Sequence, residues 1–341
     1  MTARFAPVTL SLKLDHLPPN EREALKKMVG AARVMDALFL KQVWAGNDAL
    51  LQELSRAEDP LGKARLHYFL INKGPWSRLD QNRPFIPGVP DKPAGGNFYP
   101  AGATKPDIQR WLDSLPGDMK QQAAGFFTTV RRKPDGSLHA VPFSIEYQGE
   151  LERAAGFLRE AAALTTQPTL RNFLSTRADA FLSNDYYASD VAWMELDASI
   201  EPTIGPYEVY EDEWFNAKAG FEANIALRDD AETDKLRTLS AHLQELENTL
   251  PIDPKYRNPQ LGGLAPIRVV NVIFTAGEAN HGVQTAAFNL PNDERVIKEK
   301  GSKRVMLKNV QEAKFKVVLL PIAKVSLPAA AQKSVSFDAF F

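Results

Sequence analysis

Apolar residues recur at three- and four-residue spacing at Leu25, Met28, Val29, Ala32, Met35, Leu38 and Phe39, the period of a helix with one face turned inward. Asn20-Glu21-Arg22-Glu23 stands just ahead of that run and reads as an N-cap with its capping-box Glu, so a long amphipathic helix is predicted from there. Shorter helical stretches follow over 48–54 and 61–70. Thr104, with Pro106 and Asp107 behind it, opens another, with Trp111, Leu112 and Leu115 on its apolar face. The same period returns over 150–164, 169–182, 214–227 and 230–250, the last with Leu236, Leu239, Leu243, Leu246 and Leu250 on one stripe.

Strand signals are fewer and dispersed. The stretches 126–132 and 138–145 flank Lys133-Pro134-Asp135-Gly136, a turn in which Pro presets φ and Gly accepts the positive φ, so a hairpin is predicted. The stretch 200–210 reads as extended because Pro202 and Pro206 interrupt it, and 267–274, 285–290, 304–307 and 314–320 also favour strands. Residues 72–103 are rich in Gly, Pro and Asn yet carry Trp76, Phe85, Phe98 and Tyr99, which a solvated linker does not need, so this long loop is expected to pack on the body. The pattern as a whole predicts an α+β, helix-rich fold with a small antiparallel β-barrel or sheet, and no internal repeat.

With 341 residues, 44% of them hydrophobic, the chain can bury a sizeable core as one large domain or two lobes. Its 41 basic and 42 acidic side chains are interspersed, so no stripe exists to neutralise a row of phosphates and nucleic acid is not an expected partner. The absence of Cys removes disulfides, thiolate metal sites and cysteine nucleophiles together. Met1-Thr2-Ala3-Arg4-Phe5-Ala6 lacks the apolar core of a secretory signal and no apolar run approaches a bilayer span, so the expectation is a soluble, cytoplasmic chain without membrane contact. The chain stops at Ser336-Phe337-Asp338-Ala339-Phe340-Phe341, where a Ser cap with no helix behind it suggests an element cut at its first turn.

His16, His67, His139, His242 and His281 are scattered, with no two at the spacing that puts metal ligands on one helical face. Only His281, between Asn280 and Gly282 beside a strand, stands out. Nucleophile-elbow, phosphate-loop, dinucleotide and EF-hand signatures are absent. What remains is Gly205-Pro206-Tyr207-Glu208-Val209-Tyr210-Glu211-Asp212 and Asn289-Leu290-Pro291-Asn292. Glu208, Glu211, Asp212 and Glu213 suit a solvated turn ahead of a helix. Beside Tyr207 and Tyr210 they equally suit a site in which a carboxylate pairs with an ammonium group and a phenol donates to an oxyanion. Asn289 and Asn292 both donate and accept, as a peptide backbone requires, although the same four residues also make an ordinary turn.

Taken with Ile71-Asn72-Lys73-Gly74-Pro75-Trp76-Ser77-Arg78-Leu79-Asp80, Gly96-Asn97-Phe98-Tyr99-Pro100 and the stretch 300–310, these segments resemble the dipeptidyl peptidase III family of zinc exopeptidases, in its shorter bacterial branch. The resemblance runs along most of the chain and matches the N-terminal part of that family. It implies that Glu208 holds a substrate's free amino group, that Tyr210 steadies the tetrahedral intermediate, and that Asn289 and Asn292 bind substrate. It also implies a zinc carried on His-Glu-x-x-x-His and Glu-Glu-x-x-x-Glu helices that would follow Phe341, so no metal ligand and no cofactor is expected in this chain, while zinc is expected in a full-length relative. Residues 1–228 with 272–318 would form the barrel-containing lobe, and 229–271 with 319–341 would be partial segments of the helical metal-bearing lobe. The implied function is the peptide-binding portion of an exopeptidase that removes dipeptides from peptide N-termini, inactive as this chain alone and lacking a C-terminal lobe as partner. A non-catalytic peptide-binding module derived from that family is the alternative. The acidic magnesium box of Nudix hydrolases, sometimes fused to this family, is absent from this chain.

Overall fold

In the computed structural model, residues 1–240, 242–259 and 267–341 are described. The long helix forms as α1 (Pro19–Val43), but Pro18 holds the N-cap position and Pro19 the first turn. Asn20 lies inside the helix and donates to the Leu164 carbonyl at 3.1 Å, and Glu23 pairs with Lys26 instead of closing a capping box. A proline pair fixes the helix start by its φ alone, so the polar residues behind it are released for other contacts. Helices α2 (Asn47–Ser55) and α3 (Pro60–Asn72) follow, the latter capped by Asp59, which accepts from the amides of Leu61 and Gly62.

The loop after α3 is clipped by β1 (Trp76–Ser77) against β2 (Arg83–Pro84). It packs as its aromatic residues require: Trp76, Phe98 and Tyr99 are buried, and Trp76 Nε1 donates to the Pro90 carbonyl at 2.9 Å. Helix α4 (Lys105–Ser114) carries the reciprocal Thr104–Asp107 capping box, and α5 (Gly117–Ala124) leads into the hairpin of β3 (Thr128–Arg132) and β4 (Leu138–Pro142), in register at Val130 opposite Ala140. The chain then turns helical at once through α6 (Phe143–Glu146), α7 (Gln148–Leu164), α8 (Pro168–Ser183) and α9 (Tyr187–Met194).

The main sheet is built from β5 (Ile200–Pro206), β6 (Phe221–Arg228), β7 (Ile267–Gly277), β8 (Ala287–Leu290) and β9 (Lys303–Leu307), in the order β5-β6-β7-β9-β8. All pairs are antiparallel except β7 with β9. Helices α10 (Asp230–Ser240) and α11 (Leu243–Thr249) are inserted between β6 and β7, and α12 (Glu294–Lys300) between β8 and β9. The last stretch is α13 (Lys308–Lys314), a π turn over Phe315–Leu319, α14 (Leu320–Ser326), α15 (Ala329–Gln332) and α16 (Phe337–Phe340).

Four sequence expectations differ from the structure here. The helical reading of 214–227 is replaced by turns and then β6, whose residues are buried without a break from Phe221 to Leu227. The strand's period of two is present, with Phe221, Ala223, Ile225 and Leu227 alternating with Glu222 and Asn224, but the Ala and Leu content and the burial of both faces let the stretch read as helix. The extended reading of 314–320 is replaced by helix; Val317 and Val318 are 42% and 43% exposed there, so β-branching was a weak guide at a surface position. The single stripe over 230–250 is two helices, with His242 before the second. Residue 241 and the Leu239 side chain lie outside the described residues. Ser336 does cap, accepting from the Ala339 amide at 3.2 Å, but a four-residue helix follows it where none was expected.

The sheet is open but strongly curled. Three strand spacings separate β5 from β9, about 14 Å if flat, yet Lys303 Nζ on β9 reaches Glu201 Oε1 on β5 at 2.9 Å, both groups buried. The curl brings the loop after β8 against the end of β5, where Asn292 Nδ2 donates to the Tyr207 carbonyl at 2.8 Å. Helix α1 lies between β6–β7 on one side and α7 on the other. It therefore buries Ala24, Met28, Ala31, Met35, Leu38 and Phe39 completely, more than one stripe's worth. Among the described residues no helix is long and apolar enough to cross a membrane.

Candidate functional site

Three strand ends meet at one edge of the curled sheet. The register sets Gly205 of β5, Glu222 of β6 and Gly277 of β7 in one row. Glu222 is thus flanked by two residues without side chains. Glu278 follows Gly277 directly, and Glu208 lies two residues past the end of β5. At Gly277 φ is +64°, and a Cβ there would run into the Phe221 carbonyl, so glycine is required where the chain turns to aim Glu278. The Gly277 amide is held by Asp36 Oδ1 at 2.8 Å, and Lys73 Nζ pairs with the same oxygen at 2.7 Å. Gly220 leaves space of the same kind, since a methyl group on it would overlap Glu278 Oε2.

Glu222 and Glu278 are buried, Glu208 is half-buried, and Glu278 has no hydrogen-bond partner on either oxygen. Burial, and then the neighbouring Glu208, push the Glu222 carboxyl up to about 8. Burial pushes Glu278 well above the carboxylate range, helped by Glu211, Glu222 and Glu208 and opposed by Arg78. Burial alone raises Glu208. Tyr210 is 68% exposed, and its phenol is raised first by Glu208 and then by burial, Glu278 and Glu222, which keeps its hydroxyl a donor.

The rest of the acidic run is structural. Burial opposes charge on Glu211, but Arg78 at 2.9 Å and Lys92 at 2.7 Å outweigh it and bring this carboxyl down to about 2. Asp212 staples its own loop, accepting from the Tyr99 hydroxyl at 2.9 Å and from the amides of Trp214, Phe215, Ala217 and Lys218. Glu213 is exposed and pairs with Lys92. The aromatic loop after α3 thereby forms the wall behind the site, through Arg78, Lys92 and Tyr99. Beneath it, the buried Arg177 guanidinium lies against the rings of Phe173, Tyr186 and Tyr207 and pairs with Asp190 at 2.6 Å.

Of the residues singled out from sequence, Glu208 and Tyr210 fall together, and Asn292 reaches the backbone of the same loop through Tyr207. Asn292 also lines a cleft of about 550 Å³ with Phe126, Phe127, Pro206 and Asp190. Asn289 is exposed on β8 opposite Arg304, and its side chain makes no hydrogen bond to any of the other three among the described residues. Sequence reasoning missed Glu222 and Glu278. A carboxylate inside the apolar run Phe221-Glu222-Ala223-Asn224-Ile225 was the available signal, since buried charge is retained only for a reason. His281 is half-buried, with Nδ1 donating to the Glu278 carbonyl at 2.5 Å, and desolvation, then Arg78, brings it down to about 4. Among the described residues no group of three or more His, Cys, Asp or Glu is placed to hold a metal ion. The nitrogen-rich set that zinc prefers is not assembled there, and these residues do not fit a zinc site.

A family model described as "Peptidase family M49" matches residues 134–333. A solved structure of dipeptidyl-peptidase III from Corallococcus sp. strain EGB is 67% identical, with a TM-score of 0.92 over 100% of this chain and 63% of that one. The structure of DPP III from Caldithrix abyssi is 46% identical, with a TM-score of 0.95 over 99% of this chain and 64% of that one. A curated relative, "Nudix hydrolase 3" of Arabidopsis thaliana, is 39% identical over 99% of this chain and 50% of its own length. The chain therefore spans about half of that relative and somewhat under two thirds of the two structures. Sequence match and whole-chain superposition agree, and the chain belongs to peptidase family M49.

Proposed function

We propose that this chain is the peptide-binding portion of a dipeptidyl peptidase III-like zinc exopeptidase, that it grips the free amino terminus of an oligopeptide, and that it does not cleave peptide bonds by itself. The observation that carries this reading is the gathering of Glu208, Glu222 and Glu278 at one sheet end, with both Glu278 oxygens buried and unbonded. Buried carboxylates without a cation are costly, and an ammonium group brings three donors and the missing charge.

Glu208, the most accessible of the three, meets the ammonium group first, with Glu222 and Glu278 behind it. Asn289 and Asn292 offer amides to the peptide backbone. In the antiparallel ladder of β8 with β9, alternate residues turn their backbone groups away from the partner strand; Leu307 N donates to the Ala286 carbonyl, so Ala287 and Asn289 face outward on an edge strand. A peptide in extended form can pair along that edge. In this reading Tyr210, exposed and neutral, donates to an oxyanion that forms only during cleavage. Dipeptide removal itself belongs, in this proposal, to a longer chain with a metal-bearing lobe, where the metal supplies the activated water.

Calorimetric titration of the purified chain with a free-amino tetrapeptide and its N-acetylated twin tests the reading. Binding of the free form alone, weakened at least about tenfold by Glu208→Ala, is expected from the loss of a charge-assisted contact. Equal affinity for both peptides would refute the ammonium grip. Stoichiometric tightly held zinc together with dipeptide release would refute inactivity.

A further inference from the structure

We infer that the pocket formed by Glu208, Glu222 and Glu278 holds a carboxyl proton at neutral pH and that a peptide's amino terminus enters by displacing it, so that binding is coupled to proton release. This rests on the reading of the pocket as an ammonium site. In the exchange, one carboxylic O–H gives its proton to solvent buffer, and the carboxylate left behind pairs with the incoming ammonium group; no bond to carbon changes and no co-reactant is needed.

The geometry requires the proton because every nearby cation is already matched. From the wall loop, Arg78 bonds Glu211, and Lys92 bonds both Glu211 and Glu213. From α3 and α1, Lys73 pairs with Asp36. After β7, His281 is neutral and gives its Nδ1 proton to a carbonyl. From the β5–β6 connection come Tyr207 and Tyr210, both with phenols raised and so uncharged, and the buried Lys218, whose Nζ is taken up by the Ala123 and Gly125 carbonyls and Thr128 Oγ1. Three carboxylates at adjacent strand ends therefore lie within electrostatic reach of one another with no free positive charge among the groups that act on them, and like charges in low dielectric do not all ionise. The upward displacement of Glu222 and Glu278 agrees with that arrangement. The three groups titrate as a set, and which one holds the proton is not a property of a single residue.

The test is titration of the chain with a tetra-alanine peptide in phosphate and in Tris, two buffers whose ionisation heats differ, at pH 7 and pH 9. At pH 7, release of roughly one proton per peptide is expected, because a carboxyl near 8 is mostly protonated while a peptide amine, at about 7.7–8.0, is mostly charged. At pH 9 the sign reverses: the carboxyl near 8 is mostly ionised and the peptide takes up roughly one proton on binding. A difference infrared spectrum at pH 7 should lose a neutral-carboxyl band when peptide is added, and Glu222→Gln should shrink both that loss and the proton count. Binding at pH 7 with fewer than about 0.2 protons released and an unchanged carboxyl band would overturn the coupling while leaving the peptide site standing. Equal binding of the N-acetylated peptide, or none of either by a folded chain, would overturn the site and the coupling together.

Discussion

Replacing Glu222 with Gln changes one oxygen for an NH2 group and fixes the side chain in the uncharged state. In the folded chain this carboxyl is displaced from an ordinary 4.5 up to about 8, by burial and then by Glu208. Between those values the folded chain keeps a proton that the unfolded chain releases. Stability from this group is therefore fully present below about pH 4.5 and is lost as pH rises through 8. At about 1.4 kcal/mol for each pH unit, the loss amounts to about 5 kcal/mol. Gln removes the dependence, so wild type and Glu222→Gln should be nearly equal in stability at pH 5, and the variant should be more stable at pH 9 by several kcal/mol. Urea denaturation followed by tryptophan fluorescence at half-unit pH steps gives both curves, with m-values checked for constancy. A difference that stays flat across pH 5 to 9, or a wild type that gains on the variant as pH rises, would refute the claim that Glu222 is buried without a cation.

Tyr210→Phe should leave peptide affinity within about twofold, because a group acting on an oxyanion contributes only during cleavage; a tenfold loss would make it a ground-state ligand. Asn292→Ala removes the 2.8 Å bond to the Tyr207 carbonyl and should weaken peptide affinity about five- to thirtyfold at a cost of about 1 kcal/mol in denaturant stability. Gly220→Ala should move the Glu278 side chain rather than unfold the chain, since the overlapping atom is the end of a flexible side chain, so affinity should fall further than stability in the same titration and denaturation assays. Lys303→Met strands the Glu201 carboxylate inside the curled sheet and should cost about 3–5 kcal/mol in chemical denaturation, most of it recovered by adding Glu201→Leu.

Much of the helical body was legible because one-sided burial writes itself into sequence. Helix α1 shows its inward residues at helical spacing, and α4 shows its Thr104–Asp107 box. The reading failed at β6, where Phe221, Ala223, Ile225 and Leu227 alternate with Glu222 and Asn224 at the strand period, because the helical reading of 214–227 ran across that alternation and burial on both faces leaves no solvated side to mark it. That one failure also hid the site, because Glu222 read as a residue on a helix face instead of a carboxylate pinned between two glycines. Glu208 and Tyr210 stood out in the sequence because they stand in a local motif. Glu278 was not, because its significance comes from the Gly205–Glu222–Gly277 row, a relation among three strands that lie far apart in sequence.

The fold makes room for charge and then withholds the partner. Elsewhere in the core, buried ionic groups among the described residues are answered: Glu201 by Lys303, Asp190 by Arg177, Glu211 by Arg78 and Lys92, and Glu21 by donors of Thr165, Thr166 and Gln167. Leaving a carboxylate unpaired in such surroundings costs several kcal/mol, enough to remove a large part of a domain's net stability. Glu222 and Glu278 escape that cost in the free chain by being displaced towards the neutral form, and Gly220 and Gly277 leave room where a side chain would overlap Glu278 or the Phe221 carbonyl. A purely structural role would be served better by Gln or Leu at both positions. On the proposed function, the compensating charge arrives from outside the chain as a peptide's amino terminus, and the neutral form is what the pocket adopts until it does.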